Sequence, residues 1–317
     1  MGTVSNVMHR PEIVAPSTRE RVHKAIETLN FVPNTAGATL RQGANRLLGL
    51  VVPQILNPFY AAITESIATA AGQRGYALAL CVSRDDPMVE LAHFEMIAQQ
   101  RAAGAIVVPL SANEDRLHRL RAVGTRLVLI DRTADEREGC SVVIDDFHGG
   151  SIAAEHILGA SASRVLHLVN GPLTIPQCRE RREGTVSVTS SRGVALDEHT
   201  VTEMSIEEGF EVGRRLACGS KSRPLSVFCT NDQLATGVIR GLEAEGLRVP
   251  DDALVVGYGD LELATTASVP LTSVAQPKAE MGTRALSLLL EELDDSLDHQ
   301  HRSVILQPKL VIRQSAP

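Results

Sequence analysis

The feature that most constrains this chain is a series of short runs, rich in Val, Ile and Leu, apolar at nearly every position. They are "RLLGLVVPQI" (46–55), "YALALCVS" (76–83), "GAIVVPL" (104–110), "RLVLIDR" (126–132), "SVVIDD" (141–146), "RVLHLVNG" (164–171), "PLSVFCTN" (224–231) and "LVVGYGD" (254–260). A strand with one wet face alternates apolar and polar residues; a strand apolar throughout is covered on both sides, as in a parallel sheet flanked by helices. The segments between the runs supply those helices, for example "PFYAAITESIATAAGQRG" (58–75) and "DQLATGVIRGLEAEG" (232–246). The reading is a repeated strand–helix α/β fold. Eight strands over the residues after 46 divide better between two parallel, Rossmann-like sheets than within one.

Polar residues collect where strands end: Asn57, Asp131-Arg132, Asn231-Asp232 and Asp260. Open parallel sheets bind ligands beyond the carboxyl ends of their strands, so two facing sheets predict a cleft lined by such residues. A phosphate-cradling loop is absent, since neither GxGxxG nor GxxxxGK[ST] occurs. Asp131 and His148 could be cast as acid and base, but no nucleophile elbow, metal-ligand spacing or phosphate loop supports a reaction, and no cofactor is implied. The five cysteines (81, 140, 178, 218 and 229) are scattered without CxxC spacing, which predicts unpaired thiols in a reducing cytoplasm. Nothing reaches the roughly 18 to 20 uninterrupted apolar residues of a membrane span.

The first 46 residues are a different unit. They hold six Lys/Arg against three Glu, a net +3, while the whole chain carries −7. A basic head on an acidic body suits contact with a polyanion. "PSTRERVHKAIETLN" predicts a helix with Pro16 in its first turn and Val22, Ala25, Ile26 and Leu29 on one face. Pro33 closes it by disfavouring helical geometry at Val32. Before it, Thr3, Val4, Val7 and Met8 fall at helical spacing with nothing ahead to cap them.

Head and body together resemble the LacI/GalR family of transcriptional regulators, through "TVSNVM", "TRERVHKAIETLNFVPN", "GLVVP…NPFY", "VLIDR", "NDQLATGVIRGLEAEGLRVPDD" and "LTSVAQPKAEMG" in that order. The resemblance implies a helix-turn-helix domain over 1–34 and a hinge helix and linker over 35–46. It further implies a periplasmic-binding-protein-like core in two subdomains, 47–144 plus 276–305 and 145–275 plus 306–317. "GTVSNVM" then looks like a recognition helix entered partway, so the small all-α head is incomplete: the family's preceding "DVAxxAGVS" helix and turn do not occur here. A start assigned too late and a true truncation would each explain this, and in either case Val4, Val7 and Val22 are expected to lose apolar partners.

By the same resemblance, Thr3, Ser5 and Asn6 reach phosphates or base edges of a pseudo-palindromic double-stranded DNA operator, and Leu40 wedges into the minor groove from each half of a homodimer. Gly37 and Ala38 stand where the family favours Ala-Arg, and Gly37 costs about 1 kcal/mol of helix propensity, so hinge folding should be weaker than usual. The implied effector residues are Phe59, Tyr60, Asp131, Arg181, Asn231, Asp232 and Gln276, a set suited to a polyhydroxylated metabolite. Asp232 has a competing reading as a helix cap.

Three departures stand out: Gly259 replaces an acidic residue, "LGASASRV" replaces a Gly-His-Arg-Arg-Ile turn, and Thr185 replaces an aromatic. The first predicts an Arg181 short of a carboxylate partner and a preference for an acidic or phosphorylated effector. The leading function is thus a cytoplasmic, ligand-responsive, sequence-specific transcription regulator, most often a repressor in this family. The alternative is a cytoplasmic metabolite-binding protein that does not bind DNA.

Overall fold

The computed structural model describes residues 3–29, 45–110, 114–134, 139–219, 223–294 and 298–317. It contains two compact units, Met1–Asn45 and Arg46–Pro317.

In the first unit, α1 (Thr3–His9) is followed by a single 3₁₀ turn (Pro11–Ile13) and α2 (Pro16–Thr28). Pro16 occupies the first turn of α2, where its missing N–H costs no helical hydrogen bond. Val22, Ala25, Ile26 and Leu29 line one apolar groove together with Val4, as their spacing predicts. Val7 differs from expectation: it is buried, at 3% exposure, whereas Val4 is 45% exposed. Of the predicted DNA-contacting residues, Thr3 is exposed and Asn6 half-buried on α1. Ser5 lies on the same helix, with a side chain outside the described residues, and Leu40 and the rest of the hinge also lie outside them.

The second unit holds two six-stranded sheets. The first is built from β1 (Leu47–Val52), β2 (Ala77–Val82), β3 (Gly104–Val107), β4 (Arg126–Ile130), β5 (Cys140–Ile144) and β11 (Ser303–Leu306), in the order β11-β5-β4-β3-β1-β2 and parallel throughout. The second is built from β6 (Val165–Asn170), β7 (Ala195–Thr200), β8 (Leu225–Cys229), β9 (Ala253–Gly259), β10 (Thr272–Ala275) and β12 (Lys309–Val311), in the order β12-β10-β9-β8-β6-β7; β12 alone is antiparallel. All eight apolar runs are strands. The four strands the sequence did not announce, β7, β10, β11 and β12, are short or lie at an edge.

Side-chain alternation explains the cores. In β1, Leu48 and Leu50 face one apolar cluster with Ile63 and Ile67 of α3 (Pro58–Gln73) and Leu286 and Leu289 of α11 (Lys278–Asp294). Val51 faces the other side, with Phe94 and Ile97 of α4 (Pro87–Gln99) and Leu120 of α5 (Glu114–Ala122). The second sheet is covered by α6 (Asp146–Gly159) and α7 (Pro176–Arg192) on one face, and by α8 (Ile206–Gly219) and α9 (Asp232–Ala244) on the other. A short α10 (Glu262–Thr266) follows β9.

The chain passes between the sheets three times: from β5 through α6 to β6, from β10 through α11 to β11, and from β11 to β12. The first and third crossings are tied together, because Asp145 donates its N–H to the Leu306 carbonyl at 3.0 Å and Gln307 Nε2 donates to the Asp145 carboxylate at 3.3 Å. Each sheet reverses strand order at one point, between β1 and β3 and between β6 and β8. The carboxyl ends of those strands are where a ligand crevice forms.

Candidate functional site: a cavity between the two sheets

A cavity lies at the carboxyl ends of both sheets. "NPFY" (57–60) builds its first wall by local rules. Asn57 caps α3, its Oδ1 accepting the Phe59 N–H at 3.0 Å, and Pro58 fills the first helical position. That turn sets Phe59 and Tyr60 at the cavity, their rings edge-to-face with centroids 5.2 Å apart. Phe59 is both wall and core, being 8% exposed and packed in the first apolar cluster.

Asp131 follows β4 with a left-handed backbone, φ +65°. Its carboxyl is pushed up to about 6, first by burial and then by the charge of Asp146, against the lowering influence of Arg181. Across the cavity, Gln177 at the start of α7 donates from Nε2 to the Asp131 carbonyl at 2.6 Å. Burial, and next Asp131, also raise the Tyr60 hydroxyl well above its ordinary value, so it stays protonated.

Arg181 is the centre of the opposite wall. Nε donates to Asp146 Oδ1 at 2.8 Å, Nη1 donates to the Thr230 carbonyl at 2.8 Å, and the guanidinium lies 3.8 Å from the centroid of the Tyr258 ring. The Tyr258 hydroxyl donates to the same Asp146 oxygen at 2.6 Å. Burial opposes the charge on Arg181, but Asp146 and then Tyr258 outweigh it and hold the guanidinium firmly protonated. This arrangement requires α6 and α7 to touch closely. A Cβ at Gly150 would stand 2.0 Å from the Arg181 carbonyl oxygen, and one at Gly184 2.0 Å from that of Phe147.

The sequence expectation that Gly259 leaves Arg181 short of a carboxylate is therefore overturned. Asp146, from a different element, neutralises it. Asp260, next to Gly259 in the chain, pairs instead with Arg313 at 2.7 Å. Gly259 has φ +128°, a backbone that side chains rarely adopt, so an acidic residue there would be strained as the chain now runs. Thr185, at the third departure, is buried and donates its hydroxyl to the Arg181 carbonyl at 2.8 Å.

Six of the seven expected effector residues line this one cavity: Phe59, Tyr60, Asp131, Arg181, Asn231 and Gln276. Asn231 has a second duty as the cap of α9, its Oδ1 accepting the Leu234 N–H at 2.7 Å while Nδ2 donates to the Met204 carbonyl at 2.9 Å. Asp232 does not line the cavity. It is fully buried behind it, accepting from Ser273 Oγ at 2.6 Å and from the Leu261 N–H at 2.7 Å, so it ties β10 to the loop after β9. The reason is geometric: Asn231 takes the capping position at the mouth, and Asp232 begins the helix proper, pointing the other way. Gln177, Cys178, Met204 and Tyr258 line the cavity without having been expected. So did Asp146 escape notice as the partner of Arg181; only its place at the end of an apolar run hinted at it. His148 is exposed and absent from the lining.

The described cysteines are unpaired, four of them buried. No described helix is long and apolar enough to cross a membrane.

Comparison with known proteins fits this geometry. Residues 154–316 match the periplasmic binding protein-like domain, and residues 1–34 match the lacI family of bacterial regulatory proteins. The HTH-type transcriptional repressor PurR of Haemophilus influenzae (strain PittEE) is 31% identical over an alignment of 320 positions that covers 99% of this chain and 94% of that protein. PurR of Aliivibrio fischeri (strain ATCC 700601 / ES114) is 30% identical over 317 residues, with the same coverage. Among solved structures, the lac repressor dimer bound to operator and the anti-inducer ONPF superposes with a TM-score of 0.84 at 22% identity, covering 99% of this chain and 94% of that one. The transcriptional regulator CelR–cellobiose complex gives 0.75 at 27% identity, covering 99% and 95%. With its lacI-type head, its two-sheet core and relatives alike over nearly their whole length, the chain belongs to the LacI family of bacterial transcriptional regulators.

Proposed function

We propose that this regulator is a cytoplasmic repressor that binds a pseudo-palindromic DNA operator as a homodimer, and that a small neutral, polyhydroxylated metabolite in the cavity sets its affinity for that operator. The observation that carries the ligand class is the closed Arg181–Asp146–Tyr258 cluster. Because Asp146 already balances Arg181, the wall offers directional donors and no spare positive charge, which suits hydroxyl oxygens better than a phosphate. Asp131 and Gln276 supply acceptors, and the Phe59–Tyr60 face supports an apolar ring face. Arg181 spends two donors on Asp146 and Thr230, leaving the rest of its fork for a ligand.

The cavity volume is about 100 Å³. That is below the ~150 Å³ in which a benzene ring is held, so a sugar-sized ligand requires the walls to part. Gln177 and the Asp131 carbonyl, bonded across the cavity, are the contact that must yield. We assign the moving bodies as 47–144 plus 276–305 and 145–275 plus 306–317, hinged at the three crossings, with the DNA-binding head over 1–34 and the hinge helix over 35–46. A ligand that stabilises one arrangement over the other by 1–3 kcal/mol changes operator affinity by roughly 5- to 150-fold. Binding without a reaction is the reading proposed for this cavity, and His148, the base considered from the sequence, is not among its lining residues.

The test is a thermal-shift screen of the full chain against mono- and disaccharides, nucleosides and their phosphates. A ligand at 100 times its Kd stabilises by about 2.7 kcal/mol, which for lobes of this size moves Tm by roughly 5 °C or more. A hit lost in Asp131→Ala supports the assignment; a hit that persists at full strength in that variant places the ligand elsewhere.

A further inference from the structure

Away from the effector cavity, three potential metal ligands converge on the outer strands of the second sheet. β6 and β7 are parallel, and His167 stands directly opposite Asp197 in their register. His199 is two residues further along β7 and therefore on the same face as Asp197. The result is a tight triangle. His167 Nδ1 is 3.0 Å from Asp197 Oδ2, His199 Nε2 is 3.2 Å from that same oxygen, and the two nitrogens are 3.4 Å apart.

We propose that His167, Asp197 and His199 bind a divalent first-row transition-metal ion. The triangle already has the size such an ion needs. A point just above its plane lies about 2.1 Å from all three atoms, the ordinary bond length to imidazole and carboxylate, and subtends angles of roughly 90 to 110°. Two imidazole nitrogens select against magnesium and calcium, and a facial set of two His and one carboxylate suits zinc, cobalt, nickel or ferrous iron. Hydrogen bonding alone explains the cluster less well. For both rings to donate to one carboxylate oxygen, two N–H groups must sit side by side at 3.4 Å; a cation replaces both protons and draws the three lone pairs inward.

The surroundings form a built site. The His167 side chain is 8% exposed and that of His199 is 20% exposed, so both rings are held largely out of water on paired strands, while Asp197 at 53% leaves an entry path. One side opens into a cavity of about 510 Å³ bordered by Arg215, Leu216 and Gly219 of α8. That space accommodates the remaining ligands, water or a small anion, and Arg215 is the charged neighbour that favours the anion. A bound ion clamps the edge strand β7, whose sequence "ALDEHT" is otherwise polar and half solvated, to the apolar β6.

The experiment uses the full chain, dialysed against a chelator and titrated with Zn²⁺ by calorimetry and with Co²⁺ by visible absorption. Wild type is expected to bind, with a ligand-field band for Co²⁺. Asp197→Ala and His199→Ala are expected to weaken binding roughly 100-fold or more, since even the loss of a group that only orients a metal ligand costs 10- to 100-fold. Cys140→Ser is the control, because Cys140 Sγ lies 3.2 Å from His299 Nε2 and 3.8 Å from His301 Nδ1 in a second cluster. Retention of one site in that variant supports the assignment. Absence of binding in wild type, binding unchanged in Asp197→Ala, or binding lost only in Cys140→Ser overturns it. Circular dichroism verifies the fold, and Asp197→Ala, at an exposed position, decides the matter alone if His199→Ala does not fold.

Discussion

Replacing Asp146 with Asn isolates the charge that balances Arg181 in the proposed effector cavity. Asp146 Oδ1 accepts from Arg181 Nε at 2.8 Å and from the Tyr258 hydroxyl at 2.6 Å, and all three side chains are buried. Asn keeps an acceptor of the same shape but removes the negative charge. Breaking a buried ion pair from one side costs about 3–5 kcal/mol, because the surviving charge is left uncompensated. Here the low end, about 3 kcal/mol, is expected: the Thr230 carbonyl and the Tyr258 ring still hold the guanidinium. Urea unfolding should show a lower midpoint at unchanged slope. The same variant should also change ligand choice. With Arg181 no longer balanced, a phosphorylated hexose should gain about 1.5–3 kcal/mol over its neutral partner, roughly tenfold to a hundredfold in a paired calorimetric titration. A loss of stability below about 1 kcal/mol, a wild type that already prefers the phosphorylated sugar, or a preference that does not move would each refute the reasoning.

Three further outcomes follow from other parts of the chain. The Asp131 carboxyl, at about 6 against an ordinary 3.8, holds its proton more tightly when folded, so the stability it contributes is full at acid pH and is lost as pH rises from 3.8 through about 6. A ligand held by ionised Asp131 should conversely weaken about tenfold for each pH unit below 6, and calorimetry giving equal affinity at pH 5 and 7.5 would argue against that contact. Leu40→Ala should weaken specific operator binding in a gel-shift assay while leaving the core's Tm unchanged; unaltered operator affinity removes the wedge role. For the proposed homodimer we assign the contact to the exposed apolar residues Leu80, Met88 and Met96, 43%, 70% and 39% exposed on β2 and α4, so Met96→Asp should shift sedimentation toward monomer, and a wild type already monomeric at micromolar concentration refutes the interface.

How much of this was legible in the sequence depended on burial. Strands covered on both faces announce themselves, and all eight apolar runs became β1–β6, β8 and β9. β7 did not, because it is largely exposed and its "ALDEHT" carries Asp197, Glu198 and His199 in place of an apolar run. β10, β11 and β12 are four, four and three residues long, too short to set a period. In the cavity, residues at strand ends and helix starts were readable since the fold delivers those positions to one place. Partnership was not. Nothing in "SVVIDD" shows that Asp146 will meet Arg181 across two helices, an encounter that depends on the bare surfaces of Gly150 and Gly184. Asp232 and Asn231 are adjacent and similar in chemistry, and only the helix start decides which one lines the cavity.

The most direct test of a ligand-controlled operator-binding regulator is to measure operator affinity with the cavity empty and filled. The full chain is used to select DNA from a random duplex pool, and the recovered site is titrated by fluorescence anisotropy with and without the strongest ligand from the thermal-shift screen. The expected result is a pseudo-palindromic site whose Kd rises steeply with salt and changes roughly tenfold or more when ligand saturates, a change abolished by Asp131→Ala. Recovery of no preferred site, or an operator affinity that the saturating ligand leaves unchanged, would contradict the account.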